Sequence, residues 1–305
     1  MIEKHNLTAV SEFILMGITG RPELQAPLFV FFLILYVISV VDNLGMIILT
    51  IVDSTLQTPM YFFLRHQALT DLGYSTAVGP KMLLNFVVDQ NTISYCFCAT
   101  QLSFFLVFIG SELFILFAMS YDRYVAICNP LLYTVIMSQR LCWVQVISPY
   151  LYCTFISLLI TIKIFTLPFC GDNVIKQFFC DCLPLISLLC SNTQEIKFII
   201  LIFAAFDLIV SLLIVLVSYL LILVAVRRMT SVEGRCKAFS TCGSHLTVVI
   251  VFYGTLISMY VQPKSTHSTD TDKVSPIFYT LIIPVLNSLI YSLRNKDVKY
   301  ALKRV

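Results

Sequence analysis

Seven runs of mostly apolar residues, each about 20 residues or longer, divide this 305-residue chain: Leu28–Val52, Tyr61–Val88, Cys98–Tyr121, Leu141–Ile162, Glu195–Val226, Phe239–Val261 and Val274–Ser292. About 20 apolar residues in helical form cross a hydrocarbon core of ~30 Å. Helix is also the form that satisfies every backbone group without water. The chain is 58% hydrophobic and 12% charged, whereas soluble domains carry about 25% charged residues. Too little polar surface remains to cover a soluble domain. An ordinary cytosolic enzyme, a disordered chain and a disulfide mini-protein are excluded. The sequence therefore predicts an all-α, polytopic membrane protein, with an N-terminal segment (1–27), a seven-helix bundle (28–292) and a short basic tail (293–305).

Charge placement orients the bundle. Arg227, Arg228, Arg235 and Lys237 follow segment five, and Arg294, Lys296, Lys299, Lys303 and Arg304 follow segment seven. Lys264 and Lys273 stand between segments six and seven. The positive-inside rule then makes the tail cytoplasmic, and an odd number of spans puts the N-terminus outside. These bases flank membrane segments and make no nucleic-acid patch; lipid is the expected surrounding. Met1–Val10 has no apolar signal core, so segment one is expected to target the chain. Asn6-Leu7-Thr8 is a glycosylation sequon on the expected outer side, with Asn6 as acceptor. Pro80, Pro149, Pro276 and Pro284 lie inside the apolar runs and predict bent helices. The halves show no internal repeat, which counts against an inverted-repeat transporter.

Of eleven cysteines, Cys96, Cys98, Cys170, Cys180, Cys182 and Cys190 fall in expected outer segments, the oxidising side. Cys180-Asp181-Cys182 could also suggest a metal, but no suitable histidine or second close pair lies nearby. Disulfides are favoured, and sequence alone leaves their pairing open.

Four acids interrupt the apolar runs: Asp42, Asp71, Glu112 and Asp207. An intramembrane acid costs several kcal/mol unless paired or hydrated, so each is a functional candidate. Glu112 precedes Arg123 by 11 residues, or about 16 Å of helix, which sets it near mid-membrane. With Asp71 it could hold a small hydrated cation or share a proton. Asp207 lies about ten residues, roughly 15 Å, inside the outer end of segment five. It reads either as a protonated acid bonded to a neighbouring helix or as a polar anchor for a ligand.

Four motifs then run in order along the chain. Leu56-Gln57-Thr58-Pro59-Met60-Tyr61-Phe62-Phe63-Leu64 follows segment one, and Met119-Ser120-Tyr121-Asp122-Arg123-Tyr124-Val125-Ala126-Ile127-Cys128 ends segment three. Lys237-Ala238-Phe239-Ser240-Thr241-Cys242-Gly243-Ser244-His245-Leu246 opens segment six, and Tyr291-Ser292-Leu293-Arg294-Asn295 closes segment seven. Together they resemble the signatures of olfactory receptors, within the rhodopsin-like G-protein-coupled receptors. Pro22-Glu23-Leu24-Gln25 and Leu131-Leu132-Tyr133 are similar to the class II (tetrapod-type) branch, near its family 8.

The resemblance implies a small, largely apolar, volatile ligand in the outer half of the bundle and coupling to a stimulatory (olfactory) G protein that raises cyclic AMP. It implies the plasma membrane of sensory-neuron cilia and a role in smell. It also implies Cys98–Cys180 and Cys170–Cys190 disulfides, leaving Cys96 and Cys182 over, and a sodium-type site at Asp71 and Glu112, with no other cofactor. By the same analogy the ligand set is Phe105, Leu106, Ile109, Gly110 and Leu113 on segment three, with Phe203, Phe206 and Asp207 on five. Tyr253, Leu256, Ile257 and Tyr260 on six and Ile277 and Thr280 on seven complete it.

Arg123 lies 25 residues after Cys98, about 37 Å along a helix, at the inner face. Alone, that describes an arginine snorkelling to water; within its motif it describes a latch that Asp122 holds at rest. Tyr124, Tyr219, His245, Asn287 and Tyr291 belong to the same expected coupling region. Two departures from the family pattern stand out: Asp42-Asn43 replaces Gly-Asn, and Asn287-Ser288-Leu289-Ile290-Tyr291 replaces Asn-Pro-x-x-Tyr. Losing that proline removes a kink and restores a backbone donor. A receptor for a non-odorant molecule and a transporter or channel are the alternatives. No enzyme is expected, since the four histidines (His5, His66, His245, His267) form no metal-ligand spacing.

Overall fold

A computed structural model of the chain describes residues 10–88, 91–170, 172–261, 276–294, 298 and 300–301. Among the described residues each apolar run falls on a helix. These are α1 (Pro22–Val52), α2 (Pro59–Val87), α3 (Tyr95–Cys128), α5 (Gln139–Phe165), α7 (Gln194–Arg228), α8 (Val232–Val261) and α9 (Ile283–Arg294), the last preceded by a π-helical turn at Phe278–Ile282. Short helices α4 (Tyr133–Ile136) and α6 (Cys182–Ile186) sit in the connections.

The helices overrun the apolar runs because capping residues, rather than hydropathy, set their ends. Pro22 and Pro59 occupy first-turn positions, where a missing amide hydrogen costs nothing. Ser94 and Ser138 cap α3 and α5 by accepting from the amides of Phe97 and Leu141. Among the described residues α1, α3, α5 and α7 are long and apolar enough to cross a membrane. In contrast, α2 carries Arg65, His66, Asp71 and Lys81, and much of its polar content is buried in the bundle.

Helix α3 is the central element, packing against α2, α5, α7 and α8, while α1 lies against α2 and α9. One core runs through the bundle, and a second fills the end expected to face outward, called the outer end below, around Cys98, Leu102, Ile160, Cys180 and Leu185. The outer end also holds three strands that the apolar pattern did not predict: β1 (Glu12–Leu15), β2 (Thr92–Ser94) and β3 (Val174–Ile175). Their order is β2-β1-β3. Phe13 pairs antiparallel with Ile93, and Leu15 pairs parallel with Ile175. Strand alternation buries Phe13 and Leu15 and exposes Glu12 and Ile14. Phe13 meets Phe169 edge-on, 5.0 Å between centroids.

Pro284 has no amide hydrogen for the carbonyl one helical turn back, and the turn before it widens to π geometry. Ser288, in place of the family's proline, donates its hydroxyl to the Val285 carbonyl at 3.1 Å and continues the helix.

Candidate functional site

Three helices deliver the central polar cluster. Asp71 (α2), Glu112 (α3) and Asn287 (α9) are all buried. The Asn287 amide donates to both Asp71 oxygens at 3.1 and 3.2 Å and to Glu112 Oε1 at 2.8 Å. Tyr74, one turn after Asp71, donates its hydroxyl to Asp71 Oδ1 at 2.9 Å. Asn43 on α1 donates to the carbonyls of Ser39 (2.9 Å) and Pro284 (3.5 Å), tying α1 to the bend in the last span. Glu112 Oε2 is buried without a partner. A space of about 10 Å³ adjoins Asp71, Asn43, Asn287, Ser288 and Tyr291, room for about one water-sized sphere. The oxygens here are hard donors of the kind that take a small cation or a proton, but Glu112, which carries the orphaned oxygen, does not line that space.

At the opposite end of the bundle, the end expected to face inward, α3, α7, α8 and α9 bring Arg123, Tyr219, His245 and Tyr291 into one region. The Tyr219 hydroxyl lies 2.6 Å from His245 Nδ1, with the rings stacked. His245 is fully buried, and Arg123 is within electrostatic reach of Tyr219, Cys242 and His245. Among the described residues Asp122 and Arg123 make no ion pair within 4 Å, although the Arg123 charge acts on the Asp122 carboxyl. Among the described residues its partner is Tyr133 of α4, whose hydroxyl donates to Asp122 Oδ1 at 2.7 Å. Successive helical residues point about 100° apart, so Asp122 turns to the inner loop and Arg123 does not follow it. Tyr124 packs beside Tyr121, 6.2 Å between centroids, and against the apolar cluster at the α7–α8 junction.

In the outer half, Phe105, Leu113, Tyr253 and Leu256 are buried in one cluster, with Leu106, Ile109 and Ile277 packed against it. Phe179 of the outer loop lies 5.4 Å from Phe105 between centroids and closes the cluster from above. The Cys98–Cys180 disulfide and the bond from the Cys180 amide to Gln101 Oε1 (2.9 Å) fix that loop. Cys170–Cys190 closes the loop on itself, and Cys96 and Cys182 are free thiols. Thr280 is buried, donating to the Pro276 carbonyl at 2.7 Å.

Other residues of the expected ligand set face elsewhere. Gly110 abuts α5: a β-carbon on it would lie 2.9 Å from Cys153 Sγ. Phe206 is 54% exposed and Ile257 38% exposed on the outer surface of their helices. Phe203 packs with the outer-end core instead. Asp207 accepts from the Tyr152 hydroxyl of α5 at 2.8 Å. The side chain of Tyr260 and the acceptor Asn6 lie outside the described residues. The partner roles of Tyr74, Tyr133 and Tyr152 emerge only in the structure. Tyr74 alone carried a local signal, the i,i+3 spacing from Asp71.

A profile of the olfactory receptor family matches residues 32–305. The chain is 78% identical to human olfactory receptor 8K3 over 303 residues, covering 99% of this chain and 97% of that protein. It is 65% identical to human olfactory receptor 8K1, covering 99% and 96%. Mouse olfactory receptor 8U3 is 57% identical, covering 98% and 94%. With the motifs and the buried polar cluster in place, these matches settle the assignment: this membrane protein belongs to the olfactory receptor family.

Proposed function

We propose that the chain spans the membrane seven times with its N-terminus outside, binds a small, largely apolar odorant in its outer half and activates a stimulatory G protein that raises cyclic AMP. The observation that carries this reading is the convergence of Arg123, Tyr219, His245 and Tyr291 at the inner ends of four helices, below a polar cluster that links three of the spans. The ligand contacts are Phe105, Leu106, Ile109 and Leu113 of α3, facing Tyr253 and Leu256 of α8 and Ile277 and Thr280 of the last span. Apolar walls with a few polar groups suit a small apolar molecule. Ligand binding favours the state in which α8 swings outward, a population shift. That motion separates His245 from Tyr219 and opens a groove in which Arg123 meets a helix of the G protein. Asp71 and Glu112 jointly hold one positive charge, as a sodium ion or a shared proton, in the resting state. The work site is the plasma membrane of sensory cilia.

A cyclic-AMP assay against a broad odorant panel in cells with verified surface expression tests the reading. A concentration-dependent rise that Arg123→Ala abolishes is the expected result. Ligand-evoked currents that persist in cells lacking G proteins would overturn it.

A further inference from the structure

A furrow of about 850 Å³ runs between α2 and α3 below β2, and none of the expected ligand residues lines it. Its walls include Leu69, Leu72, Phe97, Phe104 and Phe108. Phe97 is 72% exposed, so the furrow opens sideways from the bundle, where a membrane protein meets lipid rather than water. Its depth comes from Gly73: a β-carbon there would lie 2.6 Å from the Phe108 ring, so only glycine lets that ring drop onto α2. Phe108 then stacks against Phe104, 6.2 Å between centroids, as a continuous aromatic wall.

Two opposite charges stand on this furrow. Lys81 is 12 residues beyond Leu69 on α2, or about 18 Å, slightly more than the ~15 Å half-thickness of a hydrocarbon core. Glu12, on the exposed face of β1 beside Ser94, also lines it. Among the described residues the ion pair within 4 Å joins Lys163 and Glu195, so Lys81 and Glu12 face the furrow without neutralising each other. An apolar slot as deep as one leaflet, with separate positive and negative groups along it, matches one class of molecule. An anionic lipid would answer Lys81 and be repelled by Glu12, and an uncharged lipid would answer neither.

We propose that this furrow binds one zwitterionic, phosphocholine-type phospholipid of the outer leaflet. Its phosphate meets Lys81, its ammonium meets Glu12, and one acyl chain lies along Phe104, Phe108, Leu72 and Leu69. The site is separate from the odorant cluster; its place in the outer leaflet rests on the orientation proposed above, and nothing in it depends on the signalling assignment.

Native mass spectrometry of the full chain, released from nanodiscs of mixed phosphatidylcholine, phosphatidylglycerol and diacylglycerol, reads the retained lipid directly. The wild type is expected to retain one phosphatidylcholine in preference to the other two. Lys81→Ala and Glu12→Gln should each lower that preference about fivefold, the worth of one surface charge against a headgroup. Thr76→Trp, at an exposed wall position, fills the furrow without entering the core and should abolish retention. Equal retention of phosphatidylglycerol by the wild type, or unchanged retention in Thr76→Trp, overturns the proposal. With three separate positions altered, misfolding of one variant still leaves the other two to decide.

Discussion

The Tyr219 hydroxyl and His245 Nδ1 meet at 2.6 Å across the boundary between α7 and α8, and their rings stack as they do so. This bond links the helix expected to move with one expected to stay. Tyr219→Phe keeps the ring and removes only the hydroxyl. A net hydrogen bond is worth about 1 kcal/mol, so ligand-free cyclic AMP should rise about fivefold at matched surface expression. Unchanged or lower basal signalling would remove this bond from the resting latch.

The carboxylates of Asp71 and Glu112 share one donor, Asn287. Asn287→Ala strips that donor from two buried acids and should cost about 1–3 kcal/mol, seen as a lower Tm of purified receptor. In sodium-free buffer alkaline enough to remove the shared proton, Glu112→Gln removes one of two like charges and should raise Tm by a few degrees. A fall in Tm for Glu112→Gln would show that the pair is already neutralised by a bound partner of some other kind.

How much of this was legible in the sequence differs between the helices and their contacts. Hydropathy located every long helix, because a run such as Leu28–Val52 has no other way to satisfy its backbone in lipid. It could not locate the outer sheet, whose strands are two to four residues long and come from three distant segments. Glu112 and Asp71 stood out as acids in apolar runs, but their shared partner depended on helix rotation. The inward face is where the family analogy and the geometry part. Gly110 and Ile257 each adjoin a ligand candidate, and one residue further along a helix points a neighbour toward α5 or the outer surface.

Asp207 accepts from Tyr152 and so links α7 to α5. Asp207→Asn retains a carbonyl acceptor for that hydroxyl, and the odorant response profile should be unchanged. A shifted ligand preference in dose–response curves would return Asp207 to the pocket.

Cys98 anchors the outer loop above Phe105, whereas Cys96 is exposed and unpaired. Loss of a native disulfide costs about 2–5 kcal/mol. Cys98→Ser should therefore fail to reach the cell surface, and Cys96→Ser should match the wild type in flow cytometry. Normal surface levels of Cys98→Ser would mean that other contacts suffice to hold the loop.

In the outer loop, Asp181 caps α6 by accepting from the Cys182 amide at 2.7 Å, and burial pushes its carboxyl up to about 6 from an ordinary value of 3.8. The folded state therefore binds the proton more tightly than the unfolded chain does. Its contribution to stability falls as pH rises from about 4 to 6 and stays low above that. Asp181→Asn keeps the capping oxygen and cannot ionise. Relative to the wild type it should gain Tm at pH 7 and lose that advantage near pH 4; an equal difference at both would refute the assignment.

The outer sheet also sets an order of events during synthesis. Phe13 and Leu15 gain their full cover only when β1 meets β3, and Leu15 is separated from Ile175 by 160 residues. At translation rates of about 5–20 residues per second, that gap lasts roughly ten to thirty seconds. β2 can cover one edge of β1 midway through that interval, but the other edge waits on β3 until its end. The outer sheet is thus a late product of synthesis: Phe13 and Leu15 are fully covered only once the chain has been made as far as Ile175.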